Sequence, residues 1–239
     1  MSKRKRSLWI QTKKTRGEAF YQKIPKIGAI FYEKLMDSEM IRIQIEEIAK
    51  EILSKAKNGK ILDVGIGPGR LLQRIHKLNP KLKLYGLDLS KSMYNRAKKN
   101  LEGLEIELVH GNITKTEFDS NYFDLVTCTG SFYLWDRPIK SLNEIHRILK
   151  NNNSALLFET YTDYNEVMFK KSLQENLKKI KPHKRPVAKR LLNKQLKITY
   201  TLNEVEEILS KSTFSENYSI EKTVLSNLPI WLKISLIKI

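Results

Sequence analysis

The stretch Lys60-Ile-Leu-Asp-Val-Gly-Ile-Gly-Pro-Gly-Arg70-Leu-Leu-Gln-Arg-Ile-His-Lys-Leu78 decides the fold. It opens as a short apolar run, is broken by Gly65, Gly67 and Gly69, and continues with Leu71, Leu72, Ile75 and Leu78 on one helical face until Pro80 stops it. The pattern is strand, glycine turn, helix. Glycines let the backbone approach a ligand closely, and the helix that follows offers unpaired N–H groups.

Working outward, Ile41, Ile45, Ile48 and Ile52 recur at helical spacing before the stop signal Asn58-Gly59, which predicts a long amphipathic helix ahead of the first strand. Leu82–Asp88 reads as a second strand. Ser90 is placed to cap a helix carrying Met93, Ala97 and Leu101, ended by Gly103. Glu105–Val109 alternates as a third strand and Phe123–Cys128 makes a fourth. Leu142, Ile145 and Leu149 line a helix ahead of Asn151-Asn152-Asn153, and Ala155–Phe158 forms a fifth strand. Strands alternating with helices in this way imply right-handed crossovers and a parallel sheet covered on both faces.

Past the fifth strand the rhythm changes. Tyr161–Thr199 holds no clear strand and is expected to be an inserted helical element. Thr201-Leu-Asn-Glu204 has the form of a capping box for a helix with Val205, Ile208 and Leu209 facing inward. Segments around Glu216–Leu225 and Pro229–Ile239 predict two final strands, paired as a hairpin at the sheet edge. The domain expected from this reading covers residues 41–239, preceded by a basic tail and a helical segment at 1–40.

With 239 residues, 41% hydrophobic, 10 Gly and 7 Pro, the chain is globular rather than collagen-like, low-complexity or disordered. The single Cys128 excludes an internal disulfide and a thiolate zinc site, and no apolar stretch is long enough to span a membrane. The segment Met1–Arg6 leads into Leu8-Trp9-Ile10 and more charge rather than a secretory core, so a cytoplasmic, reduced setting is expected.

The formal net charge is +18, from 44 Lys+Arg against 26 Asp+Glu. Much of the excess sits in one window. Between Lys170 and Lys197, Lys170, Lys171, Lys178, Lys179, Lys181, Lys184, Arg185, Lys189, Arg190, Lys194 and Lys197 face only Glu175. Such a field attracts nucleic acid, other polyanions or an anionic membrane surface. A general richness in lysine spread over solvated helix faces explains the same numbers, and both readings stand at this level. Lys3-Arg-Lys-Arg6 likewise reads as a solvated tail or a docking arm.

In an open parallel sheet, ligands bind beyond the carboxyl ends of the strands. There the first strand closes with Asp63 and the glycine turn, and the second with Asp88, 19 residues after Gly69. A carboxylate at the second strand tip suits a ribose diol. Arg70 stands where a dinucleotide fingerprint would place its third glycine. Asp63 is awkward beside a pyrophosphate but suits a ligand bearing an ammonium group, which favours an adenosyl amino acid over a dinucleotide.

Four ordered motifs carry a resemblance. They are Ile61–Gly69, Tyr85-Gly-Leu-Asp-Leu-Ser90, Val109-His-Gly-Asn-Ile113 and Phe123-Asp-Leu-Val-Thr-Cys-Thr-Gly-Ser131, with His146–Asn153 also in place. In these stretches the chain resembles the class I S-adenosylmethionine-dependent methyltransferases, over roughly residues 40–160 and more loosely 201–239. It looks most like the small-molecule enzymes related to ubiquinone and menaquinone methyltransferases.

The resemblance implies a Rossmann-like three-layer α/β sandwich with a seven-stranded, mostly parallel sheet and an antiparallel edge hairpin. It implies S-adenosyl-L-methionine as cofactor, with Asp63, Gly65, Ile66, Gly67 and Gly69 around its methionine portion. Asp88 would take the ribose hydroxyls, Leu89 would pack on the adenine, and Asn112, where the family commonly has Asp, would meet the adenine amine beside Ile113. Thr129, Gly130 and Ser131 would border cofactor and acceptor. Phe20-Tyr21 and Phe31-Tyr32 would, as in similar enzymes, fold over the site or else simply bury their segment.

An activated sulfonium methyl requires alignment, exclusion of water and sometimes a base, and it requires no metal. Glu159, His110 and Tyr133 are the candidate proton acceptors, Glu159 because it should point into the cleft. Phe132–Trp135 reads as an apolar acceptor wall. Cys128, within a strand, reads as a packing residue, and the Asn/Asp-Pro-Pro-aromatic signature of amine methylation is replaced by Thr129-Gly-Ser-Phe132. Three functions remain open: methyl transfer to a small, possibly acidic acceptor, methyl transfer to RNA or a nucleic-acid-associated protein, and binding of the cofactor without turnover.

Overall fold

The computed structural model describes residues 38–239. The basic tail and the Phe20-Tyr21 and Phe31-Tyr32 segment lie outside these residues. Helix α1 (Glu39–Lys55) precedes strand β1 (Lys60–Val64), and α2 (Arg70–Leu78), β2 (Lys83–Asp88), α3 (Lys91–Asn100) and β3 (Ile106–His110) follow. Next come β4 (Phe123–Thr129), a 3-10 turn at Phe132–Leu134, α4 (Pro138–Ile148) and β5 (Leu149–Thr160). Then α5 (Glu166–Lys178), a 3-10 turn at Pro182–Lys184, α6 (Arg185–Leu196), α7 (Leu202–Leu209), β6 (Tyr218–Leu225) and β7 (Leu228–Lys238) complete the described residues.

The strands form one seven-stranded sheet in the order β3-β2-β1-β4-β5-β7-β6. The first five are parallel, while β7 pairs antiparallel with both β5 and β6. Alternate residues of each strand feed two apolar layers. Ile61, Leu84, Leu125 and Leu156 pack under α1, α2, α3 and α5, whereas Leu62, Val126, Leu157 and Ile234 pack under α4 and α7. The three-layer α/β architecture and the edge hairpin expected from the sequence are what the structure has.

Thr201 Oγ1 accepts the N–H of Glu204 while Glu204 accepts the N–H of Thr201, so the capping box forms as expected. The hairpin turns through Ser226 and Asn227, both left-handed at φ +50° and +61°, the geometry a two-residue connection needs. Ser226 N–H donates to Glu47 Oε2 at 2.8 Å, which ties the hairpin to α1.

Three local expectations are corrected. No helix separates β3 from β4. The segment 111–122 is a loop pinned from α4, with Thr116 N–H and Oγ1 donating to Glu144 Oε1 and Arg147 donating to Phe118 O. Leu149 belongs to β5 rather than to the helix before it, and Asn151–Asn153 continue that strand because backbone pairing, as at Asn153 with Lys238, sets its length. Ser90 occupies the N-cap position of α3 without a side-chain cap. Its own N–H instead donates to Asp88 Oδ1 at 2.8 Å.

Candidate active site

Sheet order places β1 beside β4, the point at which successive crossovers diverge and a cleft opens at the strand tips. The cleft has a volume of about 220 Å³. The turn residues Gly65–Pro68 are part of its lining.

This turn is shaped by contacts that only glycine permits. Gly65 sits at φ +76°, with its N–H donating to Leu87 O at 2.7 Å, and a Cβ there would lie 2.2 Å from Ser131 Oγ. Ser131 in turn donates to Val64 O at 3.0 Å, so the tips of β1, β2 and β4 are laced together. Gly67, at φ +53°, donates its N–H to Asp88 Oδ2 at 2.9 Å. With Oδ1 on Ser90 N–H, the Asp88 carboxylate is fixed in the cleft lining, and each oxygen keeps a lone pair for a ligand.

Asp63 is buried beneath the same turn, and its Oδ1 has no hydrogen-bond partner among the described residues. Burial, with the Asp88 charge adding to it, pushes the Asp63 carboxyl up to about 7. Burial also raises Asp88, against the pull of the Ser90 and Gly67 amides and of His110. Two neighbouring carboxylates held in this way favour a ligand that brings positive charge.

Leu89 lines the cleft while 53% exposed, an apolar surface open to a ligand, and Ile113 lies buried in the same lining. Asn112 Oδ1 accepts Thr114 N–H at 2.9 Å, so the side chain shapes its loop as well as facing the cleft. Thr129 Oγ1 is buried without a partner among the described residues. The lining also includes Ile45, Leu134, Trp135 and Asp136. The Trp135 ring is braced edge-on by Phe132 at 5.1 Å between centroids.

Asp63, Gly65, Ile66, Gly67, Asp88, Leu89, Asn112, Ile113 and Thr129 are therefore brought into one cleft. Gly69 stands just behind them as the N-cap of α2, where a Cβ would meet Leu101 at 2.8 Å. Sequence reasoning did not single out Ile45, Met93 or Asp136 as lining residues. Ile45 and Met93 belong to amphipathic helices whose apolar stripes read as core, and a lone Asp after a strand tip carries no pattern.

None of the three candidate proton acceptors is among the described residues that line the cleft, and Glu159, expected to point into it, turns elsewhere. Glu159 is fully buried and turns into the core layer shared by Leu157 and Tyr161 on the same strand face. Its Oε2 accepts Tyr133 N–H at 3.2 Å and its Oε1 accepts Thr160 N–H at 2.8 Å, and burial pushes the carboxyl up to about 8. Tyr133 is buried with Phe132 in that layer, so only Leu134 and Trp135 of the expected apolar wall face the cleft. His110 is exposed at the end of β3, with Nε2 3.1 Å from Leu89 O and its ring against Tyr94. Cys128 is buried 3.0 Å from Ser131 Oγ, and burial pushes its thiol up, consistent with a packing role.

Comparison with known proteins agrees with this geometry. Residues 61–152 match a family model described as a methyltransferase domain. The uncharacterized methyltransferase YdaC of Bacillus subtilis is 27% identical over 105 residues, covering 44% of this chain and 58% of that protein. A demethylmenaquinone methyltransferase of Staphylococcus epidermidis is 35% identical over 108 residues, covering 44% of each. The chain thus spans about half the length of the curated relatives it matches. Among solved structures, the plantazolicin methyltransferase BpumL, in complex with a triazolic desmethylPZN analog and SAH, superposes with a TM-score of 0.73 over 98% of both chains at 18% identity. Residues 61–152 thus match a methyltransferase domain, and the sheet that carries them has the fold of methyltransferases solved with SAH.

Proposed function

We propose that this chain transfers a methyl group from S-adenosylmethionine to a small, largely apolar acceptor. The observation that carries the reading is Asp63, a buried carboxylate with an unpartnered oxygen beside Asp88, under a glycine turn at the switch point of the sheet. An ammonium- and sulfonium-bearing nucleoside supplies the positive charge this pair lacks, and its ribose diol can take the free lone pairs of Asp88. Leu89 and Ile113 offer apolar surface for a base, with Asn112 at its edge.

The cofactor brings a methyl group already activated on sulfur. What the chain's residues do is align and exclude water: Ile45, Leu134 and Trp135 form a dry wall against which an acceptor is oriented. No His, Cys or Lys is among the described lining residues. Transfer therefore relies on an acceptor atom that is already nucleophilic or easily ionised, with the Asp136 carboxylate beside the wall to receive a proton. An apolar acceptor is in keeping with the name of one set of relatives, the demethylmenaquinone methyltransferases, whereas the malonyl-[acyl-carrier protein] O-methyltransferases are named for an acidic acyl group.

The test is transfer of label from methyl-labelled S-adenosylmethionine to a pool of lipid-soluble extracts, with an RNA pool as the competing arm. Label in an extractable small molecule supports the reading. Label in RNA alone, or saturable cofactor binding with no turnover in any pool, overturns it.

A further inference from the structure

Between β5 and α7 the chain carries α5, the turn Pro182–Lys184 and α6. The return of this insertion is anchored at the carboxyl end of β5, the sheet edge that holds the cleft. Thr199 Oγ1 donates to Thr160 O, Gln195 Nε2 donates to Thr160 Oγ1 at 3.2 Å, and Thr162 N–H donates to Tyr200 O at 3.0 Å. Lys179 reaches Glu39 at the start of α1, the helix whose Ile45 lines the cleft.

Phe169, Leu173 and Leu196 turn inward to the core. What turns outward is mixed. Val167, Met168 and Val187 are 79%, 55% and 36% exposed. Lys171, Lys178, Lys181, Lys189, Arg190 and Lys197 are exposed and enter no salt bridge among the described residues. Of these, Lys189, Arg190 and Lys197 line a shallow groove on α6 with Pro186 and Asn193. No carboxylate follows Glu175 until Glu204.

Exposed aliphatic side chains among unpaired cations fit the boundary of an anionic bilayer, where apolar groups leave water and lysines meet phosphate. A single-stranded nucleic acid would call for exposed rings on which bases stack, and the one Phe, Tyr or Trp of residues 165–199, Phe169, is buried. We propose that the outer surface of α5 and α6 docks on an anionic lipid surface, with Val167, Met168 and Val187 entering the headgroup boundary. Docking there brings the cleft to a bilayer that holds apolar acceptors, and this last step alone rests on the function proposed above.

The test is co-sedimentation of the full chain with phosphatidylcholine vesicles, with and without phosphatidylglycerol, and with single-stranded RNA as the rival polyanion. Binding is expected only with phosphatidylglycerol. The K189E/R190E/K197E variant should lose more than about a hundredfold in affinity, from about fivefold per cation. The V167S/M168S variant keeps every charge and should lose about tenfold. Variants that bind vesicles as well as the wild type does, or a chain that binds RNA and not vesicles, overturn the proposal. Affinity for S-adenosylhomocysteine, measured on the same proteins, should be unchanged. Its absence in the wild type would overturn the proposed function and leave the vesicle result standing.

Discussion

Glu159 Oε2 accepts the backbone N–H of Tyr133 at 3.2 Å, so a carboxyl group at the end of β5 holds the turn that carries Leu134 and Trp135 into the cleft. This is a positioning role. Glu159→Ala leaves the buried amides of Tyr133 and Thr160 without an acceptor, at about 1–3 kcal/mol each. Denaturant unfolding should show a loss of about 2–6 kcal/mol for that variant. Glu159→Gln keeps an amide oxygen and should hold kcat within about tenfold of the wild type, whereas removal of a general base costs about a hundredfold or more.

The glycine turn separates two costs. Gly65→Ala forces a left-handed φ of +76° on a side chain and drives its Cβ to 2.2 Å from Ser131 Oγ. Gly67→Ala meets nothing within 4 Å and carries only the strain of φ +53°. The second should destabilise the fold by about 1–2 kcal/mol. The first should cost about 1–3 kcal/mol more, because the strand tips must part. Thermal unfolding of the two variants measures the difference.

Asp63 and Glu159 set opposite pH trends for folding and for binding. Burial raises both carboxyls, to about 7 and about 8, above the ordinary values they regain on unfolding. The native state therefore binds more protons than the unfolded chain over the intervening range. The stability that these groups contribute is full below about pH 4 and declines as pH rises through 7 to 8. A ligand's ammonium group prefers ionised Asp63, so affinity for S-adenosylhomocysteine should rise by several-fold, up to about tenfold, as pH rises from 6 through 7. Calorimetry should show release of a proton on binding in the lower part of that range, and Asp63→Asn should flatten the rise.

Much of the fold was legible in the sequence because the strand tips carry pattern. The glycine turn, Asp88 and the Thr201–Glu204 box each join a residue type to a spacing with one physical use. The misjudged positions lack that property. Leu149 and Asn151–Asn153 are drawn into β5 by pairing with strands far away in sequence, which a local window does not contain. Glu159 was expected in the cleft because its strand ends there, yet strand alternation turns it to the opposite layer, where the amides of a 3-10 turn need an acceptor. His110 pairs in register with Asp88, but its side chain reaches the Leu89 carbonyl outside the cleft.

Trp135 should separate acceptor recognition from cofactor binding. Trp135→Ala removes the ring that Phe132 braces and opens the dry wall. Acceptor KM should rise by about tenfold or more, in line with the loss of a large buried apolar surface. The dissociation constant of S-adenosylhomocysteine should stay within about threefold, since the hydrogen bonds that fix Asp88 to Gly67 and Ser90 do not involve the ring.

Calorimetric titration of the full chain with S-adenosylhomocysteine, beside an Asp88→Ala variant and an NADH control, tests the cofactor assignment most directly. Saturable one-to-one binding is expected for the nucleoside alone. The variant should lose about a hundredfold or more, because two hydrogen bonds to a charged group disappear. Equal affinity in the variant, or tighter binding of NADH, would contradict the role assigned to Asp88 and the glycine turn.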